Sequence, residues 1–150
     1  SGVLVLLMVV LLVTLATSVH AKSTALSLAQ VQAQRRAIIE ATVSPSPQQA
    51  EEFWHTYWLY RGQVSMLTDR LVALIEEYGS SAASLTDDRA TAMVNEIMEI
   101  QAQRAELREE YVKKFQKILL PKQVVRWYQT ENKLDAVVQA DIAAAIPLDE

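Results

Sequence analysis

An all-helical chain of four helices, the middle two forming a long antiparallel hairpin, is the fold this sequence predicts, on three observations. Apolar residues recur at spacings of three and four along most of the chain, the period of a helix buried on one face. Glycine and proline number only three and four in 150 residues, and most sit at junctions between the periodic runs. No alternating apolar run bounded by turn residues competes as a strand.

The first segment stands apart. Gly2 to Val19 is an apolar run without a charge, and it ends in the small-residue stretch Ala16-Thr17-Ser18-Val19-His20-Ala21. Such a run is a signal-peptide h-region, with Val19 and Ala21 as the residues a signal peptidase would read. At about 18 residues it is also near the lower limit for a membrane-spanning helix. Residues 1–21 are therefore expected to be a signal peptide or an N-terminal anchor helix, with the basic residues of the leader preceding Ser1. Residues 22–150 are expected to form one helical domain with a modest core.

Within that domain the first helix is predicted from Leu26 to Thr42. Ser27 caps it, Gln30 returns to the cap, and Leu28, Val31, Ile38 and Ile39 form its stripe. The second is predicted from Pro47 to Tyr78, ended by Gly79-Ser80-Ser81. Ser46 is its N-cap, Pro47 takes the first helical position, and Gln49 completes a second capping box. Its seam is Ala50, Phe53, Tyr57, Tyr60, Val64, Leu67, Leu71, Leu74 and Tyr78. A helix of about 48 Å with one apolar edge needs a partner of similar length.

That partner is the third helix, predicted from Asp87 to Leu120. Thr86 caps it, and Asp87 and Asp88 place negative charge on the positive end of the helix dipole. Its stripe of Ala90, Met93, Ile97, Ile100, Leu107, Tyr111 and Ile118 is interrupted by Arg104. The short connection from Gly79 to Leu85 makes helices two and three antiparallel neighbours. The fourth helix is predicted from Pro121 to about Ala145, facing inward with Val124, Trp127 or Tyr128, Leu134, Val138 and Ile142, and stopping before Pro147.

Composition narrows the function. The net charge of −4 is too acidic for a nucleic-acid surface, which needs clustered cations to displace counterions. Arg35, Arg36, Arg61, Arg70, Arg104 and Arg108 are spread over three helices among acids and read as helix-face ion pairs. With no cysteine, disulfides, thiolate metal sites and cysteine nucleophiles are excluded. Catalysis lacks parts as well: there is no GxSxG, SxxK, HExxH or Gly-rich phosphate loop, and His55 is the sole histidine beyond the leader. An enzyme is not expected, nor a cofactor. Glu52 and His55 form one ExxH step, the only metal-ligand candidates, but a carboxylate-bridged bundle site needs two such steps and further glutamates. Trp54 and Trp58, one turn apart beside the seam, either widen the core or form an exposed patch. Together with Trp127 they are the candidates for a protein-binding surface.

Two junctions carry a family likeness. Ser46-Pro47-Gln48-Gln49 resembles part of an LTxxQ motif, Leu119-Leu120-Pro121-Lys122-Gln123 resembles a second copy, and Leu26-Ser27-Leu28-Ala29-Gln30 fits L-S-x-x-Q. Leu120 stands where the second copy should carry a hydroxyl. With the leader, the absence of cysteine and the long helical pair, the chain resembles the periplasmic Spy/CpxP family, which is related to periplasmic heavy-metal sensor and resistance proteins. The resemblance implies a cradle-shaped, often dimeric periplasmic protein. Such proteins bind unfolded or stressed envelope proteins without ATP, or modulate a membrane-bound envelope-stress sensor. A membrane-anchored metal sensor and a purely structural coiled-coil module are the alternatives.

Overall fold

A computed structural model of the chain describes residue 30 and residues 34–146. The leader at 1–21 and the Ser27 cap with its preceding Leu26 lie outside the described residues; Gln30 is helical and exposed. Four helices follow in order. Residues 34–43 are helical and form α1. Then come α2 (Pro47–Ser81), a short 3-10 turn (Ala82–Ser84), α3 (Asp87–Ile118) and α4 (Pro121–Ala144). There is no strand among the described residues, so the all-helical expectation holds.

Helix boundaries follow local chemistry. α1 ends one residue beyond Thr42 because Ser44 enters the left-handed region at φ 50°, where its N–H donates to the Glu40 carbonyl at 3.0 Å. This single 5→1 bond is the αL termination, and Pro45 cannot extend the helix. α2 starts on the expected capping box: the Gln49 N–H donates to the Ser46 hydroxyl at 3.3 Å, and the Ser46 N–H donates to the Gln49 side chain at 2.9 Å. Its predicted end at Tyr78 is corrected. The helix runs through Gly79 to Ser81, where the Ser80 and Ser81 hydroxyls donate to the Glu77 carbonyl at 3.1 and 2.6 Å. One glycine weakens a helix by only about 1 kcal/mol, too little to stop one already held by its seam. α3 opens on Thr86, whose hydroxyl accepts from the Arg89 N–H at 3.2 Å, and stops at Ile118, two residues short of the expected Leu120.

Contacts fix the relative directions. Phe53 meets Phe115 at 5.4 Å and Tyr60 meets Tyr111 at 5.2 Å between ring centroids. Farther along, Arg70 donates to Gln103 at 2.7 Å, and Arg89 is bound to Glu77 at 2.6 Å. Residue numbers rise on α2 as they fall on α3, so the two run side by side in opposite directions. α4 lies against both, with Trp127 between Tyr60 and Phe115 at 5.4 and 4.4 Å. α1 runs antiparallel to α4, from Arg35 beside Glu131 to Thr42 beside Thr130.

The core falls into two parts. The larger surrounds Phe53, Tyr57, Tyr60, Tyr111, Phe115 and Trp127, and the smaller holds Leu74, Met93 and Ile100. Two core assignments change, and one alternative is decided. Phe115, omitted from the predicted α3 stripe, is fully buried, whereas Ile118 is only half-buried. On α4 the inward residue is Trp127, and Tyr128 is 41% exposed.

Candidate functional site

The predicted stripes of α1, α3 and α4 have gaps, and those gaps meet. Arg35 on α1, Arg61 on α2, and Arg104 and Arg108 on α3 converge on Glu131 and Asp135, one turn apart on the inner side of α4. Arg35 donates to Glu131 at 2.9 Å and to Asp135 at 3.4 Å. Arg61 reaches the same carboxylates at 3.1 and 3.3 Å, and Arg108 donates to Asp135 at 2.7 Å. The Tyr57 hydroxyl donates to the other Glu131 oxygen at 2.7 Å. Arg104 is held more loosely, donating to the Thr68 hydroxyl at 3.0 Å and standing 4.0 Å from Asp135. Glu131 is fully buried, and Arg35 and Asp135 nearly so. The expectation that Arg35, Arg61, Arg104 and Arg108 make helix-face ion pairs is thus corrected: they bind across helices.

Burial and field oppose each other in this layer. Desolvation pulls the Arg35 guanidinium down, but Glu131, Tyr57 and Asp135 together outweigh it and leave it above its ordinary value. Arg108 behaves alike, its desolvation outweighed by Tyr60, Asp135 and Glu131. Burial first, then the Glu131 charge, pushes the Tyr57 phenol well above an ordinary tyrosine. Burial likewise raises Tyr60, against the lowering field of Arg108. Because both folded values lie above the ordinary value near 10, the stability these phenols contribute is complete below pH 10 and is lost as pH rises through the raised values. In an alkaline titration followed by tyrosinate absorbance, at least two of the five tyrosines should ionise only with the loss of helical circular dichroism. All five ionising while the helix signal persists would contradict this.

The two motif glutamines form a second constellation. Gln49 Nε2 donates to the Ile118 carbonyl at the end of α3 and to Gln123 Oε1, at 3.0 and 3.1 Å. Gln123 Nε2 donates back to Gln49 Oε1 at 3.1 Å and to the Ser44 carbonyl after α1 at 3.0 Å. Each glutamine thus satisfies the start of its own helix and the orphan end of the helix at the opposite junction. In the second copy Leu120 contributes no hydroxyl, and only the returning half remains, its N–H donating to Gln123 Oε1 at 2.9 Å. Gln49→Ala and Gln123→Ala should each lower stability by about 1–2 kcal/mol. The double variant should lose less than the sum, since the pair shares bonds; strict additivity in urea melts would show the glutamines to be independent.

The remaining candidates disperse. Glu52 and His55 are both exposed on α2, and among the described residues no three His, Asp or Glu side chains form a group that could hold a metal. Trp127 is corrected from surface to core: it is 0% exposed. Trp54 is half-buried, with the Arg36 guanidinium 4.5 Å above its ring and Trp58 stacked at 5.9 Å. Trp58 is 45% exposed and is joined on the surface of α2 by Leu59 and Met66, with Val94 and Met98 exposed on α3. A groove of about 390 Å³ along α2 and α3 has Gln63, Met66, Arg70, Gln103, Glu106 and Glu110 in its lining.

No protein-family model, no curated protein and no solved structure matches the chain.

Proposed function

We propose that the chain is an exported periplasmic helical protein of the Spy/CpxP type. It acts by non-covalent contact with other proteins, as an ATP-independent chaperone or a modulator of an envelope-stress sensor. In this reading α2 and α3 are the family's long hairpin, and residues 1–21 are its signal peptide or its anchor. The observation that carries the reading is the apolar exposure along that pair: Trp58, Leu59, Met66, Val94 and Met98 are exposed, and Met66 shares a groove with Gln63, Arg70, Gln103 and Glu106. Apolar contacts of this kind, methionine above all, repack against varied partners, and the interspersed charge keeps binding weak and reversible. Among the described residues no helix is long and apolar enough to cross a membrane.

The test is aggregation of an unfolding client in the presence of the chain and without ATP. Near-stoichiometric protection is expected, and Trp58→Lys with Met66→Lys should weaken it while leaving the melting midpoint nearly unchanged. No protection by the unaltered chain rejects the chaperone reading. The metal-sensor alternative needs ligands beyond Glu52 and His55; it predicts a midpoint that rises with nickel, cobalt, copper or zinc by mass action on the folded state.

A further inference from the structure

We propose that the groove between α3 and α4 beside the charge layer binds a dianionic oxyanion of the phosphate class, held by Arg104 and Arg108. The argument begins with a charge count. Among the described residues, four guanidinium groups meet two carboxylates in the layer, an excess of two positive charges. Excess positive charge beside a groove raises the local concentration of anions there, and an anion of charge two balances it.

Geometry says where that anion sits. Arg35 and Arg61 are each bonded to both carboxylates, whereas Arg104 has a hydroxyl and a carboxylate 4.0 Å away. Arg104 and Arg108 are one turn apart, so their side chains leave α3 on the same side. Both line an open groove of about 490 Å³, with Val112 and Tyr128 forming other parts of its wall. The Tyr128 ring lies 5.5 Å from the Arg108 guanidinium, and its exposed phenol adds a donor. Glu109 is also in the lining, but Lys113 is bonded to it at 2.7 Å. Paired guanidinium forks present parallel N–H groups to tetrahedral oxyanions, which a single lysine cannot do.

The probe is inorganic phosphate, titrated into the full chain at constant ionic strength with chloride as the balancing salt. The melting midpoint should climb with phosphate and not with chloride. Amide shifts should concentrate at residues 104–112 and at Tyr128 on the facing turn of α4. Arg104→Gln should weaken phosphate binding at least tenfold, while Arg70→Gln, outside the groove, should leave it unchanged. An equal response to chloride, shifts centred away from residues 104–112, or undiminished binding by Arg104→Gln would each overturn the site. Should Arg104→Gln fail to fold, the shift map of the unaltered chain decides. Binding to anionic lipid vesicles with no response to free phosphate also overturns it. Client protection is measured separately, so either result can fail without the other.

Discussion

Glu131→Ala is expected to lower stability by about 3–5 kcal/mol, the cost of removing one partner from a buried ion-pair layer, since it leaves Arg35, Arg61 and Arg108 sharing the single carboxylate of Asp135. Arg35 is within 2.9 Å of Glu131, and their side chains are 5% and 0% exposed, so solvent screening offers little relief. The same deletion strips the Tyr57 hydroxyl of its acceptor and Arg61 of its nearer carboxylate. The surface pair Lys113–Glu109 is the contrast: its partners are 68% and 70% exposed, and Glu109→Ala should leave the urea midpoint unmoved. Glu131→Gln keeps an acceptor for Tyr57 without the charge and should fall between the wild type and Glu131→Ala. If the cost comes from unbalanced cations, Arg35→Met combined with Glu131→Leu should recover part of the loss, since it removes one cation with the carboxylate while Arg61 keeps Asp135 and Tyr57 still lacks its acceptor. A Glu131→Ala cost below about 1 kcal/mol, the range of an exposed ion pair, would refute a dry layer.

α2, α3 and α4 were legible because each is announced by local chemistry that tertiary packing does not override. Ser46, Thr86, Pro47 and Pro121 mark starts that the chain uses, and the α2 seam from Phe53 to Leu74 is buried or half-buried throughout. The charge layer was not read, for a physical reason. A periodic count of apolar residues treats a charged residue in the stripe as an interruption, and Arg35, Arg104 and Glu131 all occupy such interruptions. Whether two of them meet depends on their height along the bundle, which the junctions set. That height could have been counted: Arg104 precedes the end of α3 at Ile118 by as many residues as Asp135 follows the start of α4 at Pro121. Opposite charges in the stripes of two helices, level across a tight turn, are therefore a signal for a buried ion pair.

The glutamines show the opposite limit. Their capping role was readable because it spans three residues, while their reciprocal bond spans 74 positions and exists only because α1 and α3 finish, and α2 and α4 begin, at one side of the bundle. A motif that looks like two separate helix starts is thus one fastening between two junctions. It ties α1 and α3 at their C-terminal ends to the starts of α2 and α4.

Trp127 carries the second large effect. Trp127→Ala should cost about 3–5 kcal/mol, the range for removing a fully buried large aromatic, because its ring contacts Phe115 and Tyr60 at the centre of the larger core. Trp127→Phe should cost much less. The indole Nε1 is buried with no hydrogen-bond partner among the described residues, so phenylalanine forfeits none of the described bonds and removes an unsatisfied donor, a relief of about 1–3 kcal/mol that offsets part of the cavity it opens. Emission from the three tryptophans tests the placement directly. In Trp54→Phe/Trp58→Phe the remaining indole should emit to the blue and resist iodide, whereas Trp58 in Trp54→Phe/Trp127→Phe should be quenched. An iodide-sensitive Trp127 would return it to the surface and remove the ring that joins α4 to both α2 and α3.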